Sequence, residues 1–218
     1  MINPKDGLKQ LAEKIWYFEG FLSQEEIQTI NNIAKDKETT PHPFDEHSFS
    51  RTDVIPELFD VWKKVSDLLY PTHVVHPYLS LLTYQKGSYM EPHCDSPGEG
   101  NHDQLTVPDA WSTCTVLDYG VCVYFGEYTG GEVYYPNQNI EISVKPGDLL
   151  IHGALKEYEH GVKEITSGVR YSYSNFALPL EKNPGTFPIY KSEEYNRLTS
   201  NTKDLVNVWA APQKQNTY

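Results

Sequence analysis

The chain has 218 residues, and its 18 basic against 30 acidic side chains give a formal net charge of −12, which disfavours any function resting on neutralised phosphates and argues against a nucleic-acid partner. Its three cysteines, Cys94, Cys114 and Cys122, show no C-x-x-C spacing, which points to neither a disulfide framework nor a cysteine-rich zinc site and suits a reducing compartment. Residues Met1 to Gln10 contain no apolar core and no later run approaches the ~18 apolar residues of a membrane span, so a cytoplasmic protein with no membrane partner is expected, built as a single domain over 1–218.

Ser23-Gln24-Glu25-Glu26 reads as an S-x-x-E capping box, and Ile27, Ile30 and Ala34 follow at helical spacing, which predicts a helix over 23–35. Residues 37–51 are polar, with Pro41, Pro43 and two histidines, and read as a mobile connection. Pro56 then occupies a first-turn position ahead of Leu58, Val61, Trp62, Val65, Leu68 and Leu69, an amphipathic stripe that Pro71 stops. Residues 18–72 are therefore expected to form helical support for a sheet.

From Tyr78 the texture changes to short aromatic and β-branched runs separated by Gly, Pro and Asn: 80–84, 121–125, 132–135, 140–144, 149–152 and 169–176. Such spacing predicts an antiparallel sandwich or jelly roll over 76–180. Residues 96–113 interrupt the series with Pro97, Gly98, Gly100, Asn101 and Pro108, a loop long enough to cover a site, with Trp111 in it. Residues 181–218 form a polar C-terminal extension with one short helix expected at 192–198.

The chemistry concentrates at His93-x-Asp95. Residues at i and i+2 of a strand share a face, and a third ligand from a distant strand would complete a two-histidine, one-carboxylate face that leaves about half an octahedron open, the arrangement of non-haem Fe(II) sites. His152 and His160 both offer that ligand; His160 is preferred because it opens a strand expected to pair with the one carrying Arg170. His42, His47, His73, His76 and His102 have no arranged partners and read as surface or core histidines. Taken alone, Tyr84 and Tyr124 read as packed strand tyrosines, and Gly130-Gly131 as a hairpin turn.

Tyr84-x-x-Gly87, His93-x-Asp95, Gly130-Gly131-Glu132, Pro146-Gly147-Asp148, His160-x-Val162 and Gly168-x-Arg170-Tyr171-Ser172, in that order, resemble the 2-oxoglutarate and Fe(II)-dependent dioxygenases, specifically their prolyl 4-hydroxylase-like branch. The resemblance runs from about Phe18 to Leu178, and Phe21-Leu22-Ser23-x-x-Glu26 is similar to that branch's entry into its support helix. It implies a mainly β fold with supporting α-helices around a double-stranded β-helix, a jelly-roll, cupin-like core. It further implies iron on His93, Asp95 and His160, 2-oxoglutarate as cosubstrate, dioxygen, and ascorbate as reductant. Arg170 would meet the cosubstrate's far carboxylate, since a guanidinium matches a carboxylate with two parallel charge-assisted hydrogen bonds. Ser172 points the same way. The resemblance assigns Tyr124 to that carboxylate, Tyr84 to the cosubstrate near the metal, and Ser174 and Phe176 to the substrate side.

The implied activity is hydroxylation of a prolyl residue in a peptide or protein. Hydroxylation of a small free molecule such as an amino acid uses the same site, and a non-catalytic ligand-binding jelly roll is the reading from another class. Three features qualify the resemblance. Phe125-Gly126 stands where the branch shows Leu-Asn, the span from Asp95 to Tyr124 is long, and Arg170 replaces the lysine of collagen-type enzymes. Asp95 favours hydroxylation over halogenation, because related halogenases carry a small residue there.

Overall fold

Residues 7–42, 45–52, 55–70, 72–75, 79–96 and 117–179 are described by the computed structural model. The expected cover over 96–113, Ser96 apart, and the helix expected at 192–198 lie outside them. In chain order the strands are β1 (Leu8–Ala12), β2 (Ile15–Phe18), β3 (Thr39–His42), β4 (Asp45–Thr52), β5 (His73–Val75), β6 (Leu82–Gln85), β7 (Met90–His93), β8 (Tyr119–Gly130), β9 (Val133–Tyr135), β10 (Ile140–Ile142), β11 (Leu149–Gly153), β12 (His160–Val162) and β13 (Ile165–Pro179). Helix α1 (Gln24–Lys35) lies between β2 and β3, and α2 (Leu58–Leu69) between β4 and β5.

All pairings are antiparallel. The larger sheet runs β1-β2-β11-β8-β13-β6-β4-β3, with β5 added to β13, and the smaller runs β10-β9-β12-β7. The mainly β fold with supporting helices is thus the one expected. Strand alternation explains its layers. On β8, Val121, Val123 and Phe125 join the core beneath the helices, with Leu149 and Ile151 of β11 and Tyr171 and Tyr173 of β13. The intervening Tyr124 and Leu150 pack instead with Val133, Tyr135 and Ile142 of the smaller sheet. The larger sheet therefore has two buried faces, one towards α1 and α2 and one towards the other sheet, and the second carries Tyr124, Arg170 and Ser172.

Helix α1 begins as its sequence demands. Ser23 Oγ accepts from Glu26 N at 3.3 Å and Glu26 Oε2 accepts from Ser23 N at 2.8 Å, closing the capping box. Its buried Asn31 accepts from Gly126 N at 2.8 Å, tying the helix to β8 where Gly126 has a φ of +94°. Pro146-Gly147-Asp148 serves the same junction: Asp148 accepts from Tyr17 Oη, from Gly20 N at 2.8 Å and from Lys145 N at 2.8 Å. A carboxylate among three donors is fully engaged, so this motif is architectural.

Some expectations are corrected. Within 37–51, expected as a connection without regular structure, residues 39–42 and 45–51 are strand: β3 pairs with β4, whose Ser50 and Arg51 pair with Thr83 and Leu82 of β6. Among the described residues β3 is the end strand of its sheet, where polar residues suffice and a proline such as Pro41 is tolerated. Pro56 lies in the turn before α2, which starts at Leu58. β1 and β2 are too short to give a periodic signal. Among the described residues no helix is long and apolar enough to cross a membrane.

Candidate metal centre and anion pocket

β7 and β12 are neighbours in the smaller sheet with His160 directly opposite His93, so their imidazoles leave the same face; the ring centroids are 4.5 Å apart. Asp95 arrives differently from the expectation. β7 ends at His93, and a bend carries the chain to Asp95, pinned by Ser96 N donating to Ala154 O at 2.8 Å. One donor atom from each of His93, Asp95 and His160 lies within 4.8 Å of the others.

The expected pairing of the His160 strand with the Arg170 strand does not occur. β12 pairs with β7 and β9, whereas β13 pairs with β8, β6 and β5. Residues 163 and 164 between them pass the chain from one sheet to the other, so no hairpin closes there. His160 is nevertheless the histidine that joins His93 and Asp95; His152 lies beside them but outside the donor cluster.

Burial is graded across the cluster: the side chains of His93 and Asp95 are 38% and 11% exposed, and His160 is 8% exposed. The centre thus opens to one side. His93 Nδ1 lies 3.1 Å from Glu91 O and His160 Nδ1 lies 3.2 Å from Tyr158 O. A carbonyl accepts only from a protonated ring nitrogen, so each Nδ1 carries a proton and Nε2 is the ring atom left to face a metal. Burial, with His152 and His93 beside it, pushes His160 well below the usual histidine range, and a neutral imidazole is the ligating form. Two imidazoles and one carboxylate fit a divalent first-row cation such as Fe(II).

Deeper between the sheets, Arg170 is 2% exposed. Its Nη1 donates to Gly131 O at 2.8 Å, and the guanidinium sits 4.3 Å from the Tyr84 ring centroid and 5.5 Å from that of Tyr124. Gly130 and Gly131, with φ of +75° and +72°, close no hairpin, contrary to expectation: they carry the chain from β8 of the larger sheet to β9 of the smaller one, and Gly131 presents that carbonyl. Among the described residues no carboxylate is paired with Arg170, and its Nε is buried without a hydrogen-bond partner. A buried cation with an unused donor is costly unless an anion completes it.

Ser172 Oγ lies 2.9 Å from Ser174 Oγ, which is 3.5 Å from Cys122 Sγ. Burial pushes the Cys122 thiol up to about 11, and Cys122 lies outside the donor cluster. Phe176 is half-buried against Leu117, Ala154 and Leu178. Tyr84 and Tyr124 are both buried, with burial raising Tyr124 well above the ordinary phenol range.

Sequence reasoning missed Tyr135, whose buried Oη has no partner and whose ring lies 5.7 Å from His152 and 5.8 Å from His160. Alternation along Val133–Tyr135 was the available signal. His73 is also corrected: it is buried, with Nε2 2.9 Å from Asp118 Oδ2 and Nδ1 2.9 Å from Thr72 Oγ1. A partner 45 residues away leaves no local pattern to read.

No protein-family model and no curated relative matches the chain. Solved structures do. A viral collagen prolyl hydroxylase from Paramecium bursaria chlorella virus-1, in complex with 2OG, superposes with a TM-score of 0.56 at 18% identity, covering 75% of this chain and 95% of that one. A prolyl hydroxylase from Trichoplax adhaerens, solved with a hypoxia inducible factor oxygen degradation domain peptide fragment, gives 0.55 at 14% over 78% and 86%. A 2OG-Fe(II) oxygenase family oxidoreductase from Burkholderia pseudomallei gives 0.52 at 13% over 76% and 84%. The fold is that of the 2OG-Fe(II) oxygenases. In that double-stranded β-helix, His93, Asp95 and His160 stand at the more open end of the space between the sheets, with Arg170 farther in.

Proposed function

We propose that the protein is an Fe(II)- and 2-oxoglutarate-dependent dioxygenase that hydroxylates a C–H bond, with a prolyl residue of a peptide or protein as its substrate. The observation that carries this reading is the pairing of two incomplete sites between the same two sheets: a cluster of two histidines and one carboxylate open on one side, and a buried arginine lacking an anion. A short dicarboxylate with a 2-oxo group suits both. Fe(II) held by His93, Asp95 and His160 would couple dioxygen activation to oxidative decarboxylation of 2-oxoglutarate and supply the oxidising power for hydroxylation.

The chain's own residues set the geometry. Arg170 binds the far carboxylate through its unused Nε, with Ser172 and Tyr124 beside it, and the Tyr84 ring holds the guanidinium flat from one side. Gly131 O fixes the other end of the fork. Leu150, Val133 and Ile142 line the same interior and keep it dry, which strengthens every charged contact within it. The prolyl assignment draws support from the solved structures of like fold, which include prolyl hydroxylases and one with a bound peptide.

Carbon dioxide release from 2-oxoglutarate, measured on the Fe(II)-loaded chain with ascorbate over a panel of proline-containing peptides and free amino acids, tests both levels. Release stimulated by a peptide, with hydroxyproline found by mass spectrometry, is the expected result. Stimulation by free amino acids alone would replace the substrate class, and absence of turnover together with absence of 2-oxoglutarate binding would refute the reading.

A further inference from the structure

A third histidine touches the proposed metal centre. His152, on β11, is 2% exposed; its ring centroid lies 4.0 Å from that of His160 in an edge-on arrangement, and its Nε2 lies 3.9 Å from Asp95 Oδ2. Asp95 is thereby shared, since its other oxygen, Oδ1, lies 3.9 Å from His93 Nε2. The two ligand histidines each commit Nδ1–H to the carbonyl two residues back, whereas His152 Nδ1 is buried with no hydrogen-bond partner. A proton on that nitrogen would find only the Gly153 backbone, outside good hydrogen-bond geometry, and it would turn the Nε2 lone pair against a carboxylate. The opposite tautomer places Nε2–H towards Asp95 Oδ2.

The neighbouring strand is shaped for this contact. Gly120 of β8 is opposite His152 in the register. A Cβ at residue 120 would overlap Asp95 Oδ2 and come within 2.7 Å of His152 Cε1 and Nε2. Gly120 has no positive φ, so its glycine serves space and not backbone freedom. Asp95 and His152 meet through the gap it leaves.

We propose that His152 is a positioning residue that donates Nε2–H to Asp95 Oδ2, so that Asp95 gives the metal one oxygen only. The inference rests on the metal reading of His93, Asp95 and His160. The remaining ångström to hydrogen-bond length lies within the broad χ2 range of an aspartate. A carboxylate with both oxygens free can chelate and fill a further coordination position; with Oδ2 engaged, three positions stay open, two for a chelating 2-oxo acid and one for dioxygen.

The test uses the full chain loaded with Zn(II) alone. Nitrogen-15 NMR of the imidazoles is expected to show the Nδ1–H tautomer at His93 and His160 and the Nε2–H tautomer at His152, and it needs no variant. Calorimetric titration with Zn(II) is expected to show one site per chain, an affinity about 10- to 100-fold weaker in His152→Phe, and recovery of most of that loss in His152→Gln, which keeps an N–H donor. An Nδ1–H tautomer at His152, or an unchanged affinity in a folded His152→Phe chain, would overturn the inference while leaving the metal centre intact. Loss of stoichiometric binding in both variants would make His152 a ligand and overturn it too. Absence of Zn(II) binding by the unaltered chain would instead remove the metal reading itself.

Discussion

Arg170→Met is the substitution that separates a binding role from a structural one. Methionine is unbranched, so it keeps most of the packing against Tyr84 while deleting the charge and the fork. Among the described residues the guanidinium has one hydrogen bond, to Gly131 O, and two rings around it, with Nε unpaired. Removing it relieves a buried cation and leaves one carbonyl short of a donor, two effects of opposite sign and each on the order of 1–3 kcal/mol. Stability without ligand should therefore change little. With 2-oxoglutarate bound, the same deletion breaks a buried charge-assisted pair, worth about 2–5 kcal/mol, or roughly a 30- to 5,000-fold rise in Kd. Anaerobic calorimetry on the metal-loaded chain measures the second effect and urea unfolding the first. Thermal shift links them, because saturating 2-oxoglutarate at about 100 Kd should add ~2.7 kcal/mol to the unaltered chain and nothing to the variant. A variant that loses several kcal/mol without ligand yet binds 2-oxoglutarate normally would show that Arg170 is an internal strut and would empty the anion pocket of its meaning.

His160→Ala should abolish stoichiometric metal binding, measured by anaerobic Fe(II) titration, since it removes one of the three clustered donors; retention of one ion per chain would put the distal ligand elsewhere. At Asp118, burial alone would raise the carboxyl, but hydrogen bonds from His73 and Lys14 hold it down at about 2 against an ordinary 3.8. A depressed carboxyl stabilises the fold above its unfolded value, so about 2 kcal/mol should be lost as pH falls from about 4 to about 2; Asp118→Asn should remove that part of the acid transition in urea titrations across this window. Gly126→Ala puts a Cβ against the Val169 carbonyl at a φ of +94°, and a loss of about 2–4 kcal/mol in urea unfolding is expected. A shift under 1 kcal/mol would mean that the β8–β13 pairing relaxes more easily than its register suggests.

The sequence revealed what depends on local period and failed where partners are remote. Helix α1 was legible to within one residue because its cap is written in four consecutive letters, and β8, β11 and β13 were legible because buried strands leave dense runs of β-branched and aromatic residues. The pairing of β3 with β4 was not, since an edge pair needs no apolar face. The same division holds inside the candidate site. His93, Asp95 and His160 were found through order and resemblance, yet both geometric reasons given for them differ from what the fold does: Asp95 comes round a bend, and His160 reaches His93 by direct pairing of β12 with β7. The convergence is therefore owed to the smaller sheet, whose short strands at Val133–Tyr135, Ile140–Ile142 and His160–Val162 were read from the sequence but whose pairing of β12 with β7 was not, because so remote a partner leaves no local pattern. A sheet that short has little pairing energy of its own and is held by Val133, Tyr135 and Ile142 packing on Tyr124 and Leu150 of the larger one. Placement of the three clustered donors thus depends on the same interior that holds the arginine, so the two candidate half-sites are built by one packing event.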